Sequence, residues 1–212
     1  MSVLNRWSDA EAAAAVAHYG AQGVAEPLAL RTYSARLLGA DPDLVLHGGG
    51  NTSVKIREQD VFGEEQDVLY VKGSGWDLET IEPQGFSPVR LSHVLKLAQL
   101  PVLSDPDMVN QLATSMTRAG APGPSIETIL HGSLPYKYVD HTHADAVVCL
   151  SDTADGEARI RKLYGDRCVV IPYLMPGFDL ARYCAEAFHR VRKAGKCGQC
   201  RFEMMARVGD LS

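Results

Sequence analysis

No stretch of this 212-residue chain is apolar over the ~20 residues that a membrane span needs. The amino terminus, MSVLNRWSDAEAAAAVAHYG, lacks a signal-peptide core because Asp9 and Glu11 interrupt it. Together these absences predict a soluble, cytoplasmic protein with no membrane partner. Cysteine is sparse and odd in number: Cys149, Cys168, Cys184, Cys197 and Cys200 do not make the paired framework of a secreted disulfide scaffold. A basic excess is missing too. The chain has 21 Lys and Arg against 26 Asp and Glu, a net charge of −5 with a pI near 5.8. That argues against a general nucleic-acid binder. There is no internal repeat and no low-complexity linker. What is present, 46% apolar and 22% charged residues, is ordinary globular composition, long enough for one buried core.

Ser8 to Glu11 has the capping-box pattern ahead of an Ala-rich run ending at Gly20, which predicts a helix. Pro27 to Leu38 predicts a second, with proline in its first turn. Short strands are expected at Leu44–His47, Thr52–Arg57 and Val68–Val71, with glycine-rich loops between them. Residues 79–104 resist assignment. Helices are expected over Asp105–Arg118 and Ile126–Leu134, the latter capped by Ser125, then a strand over Lys137–His143. Short helices or turns at 144–151 and 157–164, a strand at Cys168–Ile171 and a helix at Phe178–Lys193 complete the reading. The order is not strictly alternating, so an α/β sandwich around a largely antiparallel sheet fits better than a doubly wound parallel one.

Chemistry concentrates in three places. In His141-Thr142-His143, strand alternation would put both imidazoles on one face, close enough to converge on one zinc ion. Two ordinary histidines at a strand end are the alternative. Asp140 could orient one of them. Glu127, in Pro124-Ser125-Ile126-Glu127, suits the first helical turn, where the helix dipole favours its charge; near a metal it would also suit a general base. His131, one turn on, reads as a packing or hydrogen-bonding partner. The loops Gly48–Ser53 and Lys72–Gly75 offer backbone N–H groups of the kind that bind anions, or are simply hairpin turns. Cys197-Gly198-Gln199-Cys200 has no second pair to complete a zinc ribbon.

Taken together, His47–Ser53, Lys72–Trp76, Pro124–Glu127 and His141–His143 resemble the class II aldolase/adducin family in order and spacing over residues 28–188. The likeness is strongest to the aldolase part of bifunctional rhamnulose-phosphate aldolase/short-chain dehydrogenase proteins. It implies an αβα sandwich around a mostly antiparallel central sheet and a homotetramer. It implies zinc, or another divalent metal, on His141 and His143, and Glu127 as the acid/base. A phosphate cradle of Asn51, Ser74, Gly75 and Ser125 follows by position. The implied reaction cleaves a ketose 1-phosphate, a small sugar phosphate, to dihydroxyacetone phosphate and an aldehyde. Epimerisation, dehydration and a non-catalytic adducin-like role share these residues.

Two departures matter. Ile126 stands where many family members have a second serine. The family's third metal histidine should lie on a strand after the last helix, yet no histidine follows His189. Residues 189–212 carry six basic and two acidic residues, reversing the sign of the rest. The expectation is an aldolase-like domain over 1–188 and an atypical basic tail over 189–212, without the ligand-bearing strand and with impaired metal binding, as a frameshift or early stop would produce.

Overall fold

In this computed structural model, residues 5–193 and 203–206 are described. Two helices open the chain, α1 (Asp9–Gly20) and α2 (Glu26–Gly39). The Ser8 hydroxyl accepts the N–H of Glu11, the cap that its spacing predicts. Next come β1 (Asn51–Gln59), β2 (Glu65–Lys72), β3 (Phe86–Arg90), α3 (Leu91–Leu97), α4 (Asp105–Thr114) and α5 (Thr128–Ser133). β4 (Tyr138–His141), α6 (Asp145–Ser151), α7 (Gly156–Tyr164), β5 (Cys168–Ile171), α8 (Phe178–Lys193) and β6 (Glu203–Ala206) complete the order. Four strands form one antiparallel sheet in the order β3-β2-β1-β4, and β5 pairs with β6 in parallel.

Alternation assigns the faces. Val54 and Ile56 of β1 pack with Leu28, Ala35, Leu78, Ile81 and Phe86 on the α2 side. Leu69 and Val71 of β2 join Val94, Met108, Leu112, Ile129 and Phe178 on the opposite side, with α3, α4, α5 and α8. Helices therefore cover both faces of a mostly antiparallel sheet, the architecture expected. On the α5 side β1 carries a polar row, Asn51, Ser53 and Lys55. The Lys55 ammonium donates to the carbonyls of His131, Leu134 and Tyr136 at 2.9, 2.7 and 2.9 Å. It thereby satisfies the C-terminal end of α5 from across the sheet, where helix carbonyls lack partners. Burial pulls this ammonium down to about 8.

Several local expectations are corrected. Leu44–His47 is not a strand: the N–H groups of Leu44 and Val45 both turn back to the Asp41 carbonyl, and His47 has φ +50°. The unassigned stretch 79–104 holds β3 and α3. β3 tolerates Pro88 because it is an edge strand. α4 stops at Thr114, four residues early, because the chain leaves it to bridge β3, with Thr117 N–H on the Pro88 carbonyl at 2.9 Å. α5 begins at Thr128 with Glu127 as its N-cap, and β4 ends at His141. α8 runs through His189, so residue 188 lies inside a helix. The Cys197–Cys200 motif falls outside the described residues.

Candidate functional site

The site forms where β1, β4 and the turn into α5 meet. Antiparallel register sets Asn51 opposite His141, and alternation turns both toward α5. The Asn51 amide donates to Glu127 Oε2 at 2.9 Å. Glu127 Oε1 lies 3.1 Å from His141 Nδ1. His141 Nε2 in turn faces His143 Nε2 at 3.0 Å. Asn51, Glu127, His141 and His143 thus form one continuous row.

His143 lies beyond the end of β4, so strand alternation alone does not bring it there. Its backbone N–H is held by the Leu44 carbonyl at 2.9 Å. Its ring rests on Gly49, where a Cβ would stand 3.3 Å from Nδ1. Gly50 has φ +70°, and a Cβ there would meet the His141 carbonyl oxygen at 2.8 Å. Two glycines of this loop thus provide the space and the left-handed backbone that the histidine pair requires.

The expected anion-binding residues lie around the row. Ser125 Oγ accepts the Glu127 N–H at 3.2 Å and fixes the turn that presents the carboxylate. Ser74 and Gly75 are exposed, and the Ser74 N–H is engaged by the Gly123 carbonyl at 3.0 Å. The Gly73 N–H likewise goes to Gly85 at 2.9 Å. Asn51 is 1% exposed and its amide serves Glu127. Asp140 does not orient a histidine: it points to the other face, where it pairs with Arg31 at 2.7 Å. Lys72, outside the expected set, is buried. Its ammonium donates to the carbonyls of Trp76 at 2.9 Å and Gly48 at 3.4 Å, tying the two glycine loops together. His131 is buried and hydrogen-bonded, as its spacing from Glu127 suggests; its contact with Ser53, 2.8 Å away across 78 residues of sequence, was not legible in any local pattern. A signal for Ser53 itself was the polar row Asn51-x-Ser53-x-Lys55, on a strand whose other face carries Thr52, Val54 and Ile56.

Burial alone would raise the Glu127 carboxyl. The hydrogen bond and charge of His141, then the Asn51 amide and the charge of His131, hold it down at about 2. Burial pushes His131 down to about 3 and, helped by the charge of His141, lowers His143 as well. Glu127 is therefore a carboxylate and His131 a neutral imidazole at neutral pH.

These donors suit a divalent ion. Two nitrogens each ~2.0–2.1 Å from a tetrahedral ion stand roughly 3.4 Å apart, close to the separation of the two Nε2 atoms. Glu127, His131 and His141 also bring ligand-type atoms within 4.8 Å of one another. A cleft of about 350 Å³ between the end of α2 and the His47 loop has Asp77 and Glu79 in its wall, but none of Glu127, His141 and His143. The row therefore lies outside that cleft. Among the described residues no helix is long and apolar enough to cross a membrane.

Comparison with known proteins bears on this geometry. The profile of the class II aldolase and adducin N-terminal domain matches residues 31–199. Uncharacterized oxidoreductase YuxG of Bacillus subtilis (strain 168) is 42% identical over 154 residues, 73% of this chain and 22% of YuxG. The chain thus spans about a fifth of that relative's length. The N-terminal class II aldolase domain of a conserved protein from Thermoplasma acidophilum superposes with a TM-score of 0.79 at 37% identity, over 97% of this chain and 86% of the other. YgbL of Klebsiella pneumoniae, a candidate aldolase/epimerase/decarboxylase, shares the fold at a TM-score of 0.50 and 18% identity, over 86% of this chain and 77% of its own.

Proposed function

Since this chain belongs to the class II aldolase and adducin N-terminal domain family, we propose that it is a metal-dependent, aldolase-type lyase acting on a ketose 1-phosphate. The observation that carries the reading is the row itself, with two imidazole nitrogens 3.0 Å apart and a carboxylate on the nearer ring. His141 and His143 would hold a divalent ion, zinc in the first instance. When bound, the ion supplies a Lewis acid that stabilises negative charge developing on substrate oxygen. Glu127 would deliver the proton to the ketose-side carbon of the breaking bond, the carbon that keeps the electron pair when the aldehyde leaves. Both of its oxygens are engaged, Oε2 by Asn51 and Oε1 by His141, so substrate must displace His141 from Oε1 before Glu127 can take a proton. Ser74, Gly75 and Ser125 line the position for the phosphate, and Asn51 joins them once it releases Glu127. The products would be dihydroxyacetone phosphate and an aldehyde.

The same reading makes residues 1–188 the aldolase-like unit of a cytoplasmic homotetramer, working beside a dehydrogenase activity. A second reading, a non-catalytic adducin-like domain, rests on the same family membership. Zinc content, light scattering and release of dihydroxyacetone phosphate from ketose 1-phosphates test both. Stoichiometric zinc with turnover supports the lyase. Stoichiometric zinc without turnover on any ketose 1-phosphate overturns it, and empty sites without turnover favour the second reading.

A further inference from the structure

His131 lies beneath the row and takes no part in the chemistry just assigned. Its side chain is fully buried. Nδ1 is 2.8 Å from the hydroxyl of Ser53, which is equally buried. Nε2 is enclosed and has no hydrogen-bond partner among the described residues. The backbone is fixed on both sides: its N–H donates to the Glu127 carbonyl at 3.0 Å, and its carbonyl accepts from Lys55 at 2.9 Å. The imidazole therefore sits one helical turn beyond Glu127 and cannot drift away from it.

A buried nitrogen without a partner costs stability, which points to a state in which it is used. The neighbourhood identifies the user. Glu127 is the carboxylate of the cluster, with an oxygen within 4.8 Å of a His131 ring nitrogen. Ser53 takes Nδ1, so Nε2 is the nitrogen left to serve that carboxylate, and it can do so only as an N–H. The Ser53 hydroxyl then donates to Nδ1, the usual way in which an outer partner sets a histidine's tautomer.

We infer that His131 is a positioning residue: Ser53 holds its ring in the Nε2–H form, and that N–H is a second seat for the Glu127 carboxylate when it leaves His141. The seat rests on the proposed metal reading, because Glu127 must leave His141 before it can act on substrate. From that seat the carboxylate stays within the site, oriented and ionised, rather than swinging toward solvent.

The first test needs no metal. Long-range ¹H–¹⁵N imidazole spectra of the labelled full chain should show His131, identified by its loss in His131→Gln, as the Nε2–H tautomer at pH 7. In Ser53→Ala the ring should become a tautomeric mixture. An Nδ1–H tautomer in the wild-type chain overturns the inference, whatever zinc does. Adding dihydroxyacetone phosphate to the zinc-loaded protein should then move the Nε2–H proton downfield as the carboxylate arrives; an unmoved proton overturns the second seat.

Zinc affinity gives an independent readout. His131→Gln, whose amide N–H can reach the Nε2 position, should stay within about threefold of wild type, whereas His131→Leu should weaken zinc about 10–100-fold at equal folded fraction. Equal affinities in the two variants overturn a positioning role. If wild type binds no zinc yet shows the Nε2–H tautomer, the metal reading falls and the tautomer still supports the His131 assignment.

Discussion

β5 and α8 bury Ile171, Phe178, Ala181, Cys184, Ala187 and Phe188, whereas β1 and the start of α5 bury Asn51, Thr52, Ser53, Thr128 and His131. The first region is a scaffold. Among the described residues its one unpartnered buried polar atom is Arg182 Nε, on a side chain that pairs with Glu186, and burial pushes the Cys184 thiol up to about 12, which leaves it inert. The second region carries polar groups where apolar ones would stabilise better, and it leaves Asn51 Oδ1, Thr52 Oγ1 and His131 Nε2 without partners. Unpartnered buried groups cost stability and accumulate where a ligand is handled. The contrast concentrates unmet polar groups in β1 and the start of α5, the elements that carry the proposed site.

The largest effect should come from the centre of the row. His141→Ala removes a ligand and the anchor of Glu127. Zinc affinity should fall about 100- to 1,000-fold, on the order of a quarter of the ~10–16 kcal/mol of a complete site. Competition against a chelator measures it. Cys184→Ala, equally buried but in the scaffold, should leave zinc affinity unchanged, and matching losses would break the comparison.

Lys55 comes next. Lys55→Met strips three carbonyls of their shared donor and should cost roughly 3 kcal/mol in urea unfolding. A loss under about 1 kcal/mol would mean that water replaces the ammonium without difficulty.

A pH dependence follows from His131. Its folded value is held near 3 by burial, against about 6.5 in an unfolded chain. Between those values the unfolded state binds more protons, so stability is complete above about pH 6.5 and falls as pH drops toward 3. From pH 6.5 to 5 the metal-free protein should lose about 2 kcal/mol, to which the lowered His143 adds in the same direction. His131→Gln should flatten most of that slope. An unchanged slope would assign the loss elsewhere.

How much of this could be read from sequence divides along the same line. β5 and α8 were expected at the limits they have, because a short apolar strand and a 16-residue amphipathic helix signal themselves locally. The segment 44–47 misled, because its composition suits a strand while its N–H groups are turned back onto Asp41. Glu127, His141 and His143 were identifiable by residue type and spacing. The route by which His143 arrives was not, since Gly49 and the Leu44 carbonyl place it rather than a strand. Asn51 was expected on phosphate and is found on Glu127. The Ser53–His131 contact and the Lys72 tie join residues from different elements, and no local pattern encodes such a pairing.

The finest test compares two glycines with left-handed φ, Gly50 at +70° in the site loop and Gly165 at +56° between α7 and β5. Both substitutions to alanine carry a dihedral penalty of about 1–3 kcal/mol. They differ in what the new methyl meets. At Gly165 there is nothing within 4 Å; at Gly50 the His141 carbonyl oxygen lies 2.8 Å away, with Val45 and Leu78 at 3.2 and 3.3 Å. A backbone oxygen in a paired strand cannot step aside as a side-chain tip can. Gly50→Ala should therefore cost roughly 1–2 kcal/mol more than Gly165→Ala in the same denaturant series. The strain should reach the histidines, because the displaced carbonyl belongs to His141 itself. Zinc affinity should fall severalfold in Gly50→Ala and stay at the wild-type value in Gly165→Ala. Equal stability losses with equal zinc affinity would show that the glycine loop serves only as a turn, and the site would then rest on β1 and β4 alone.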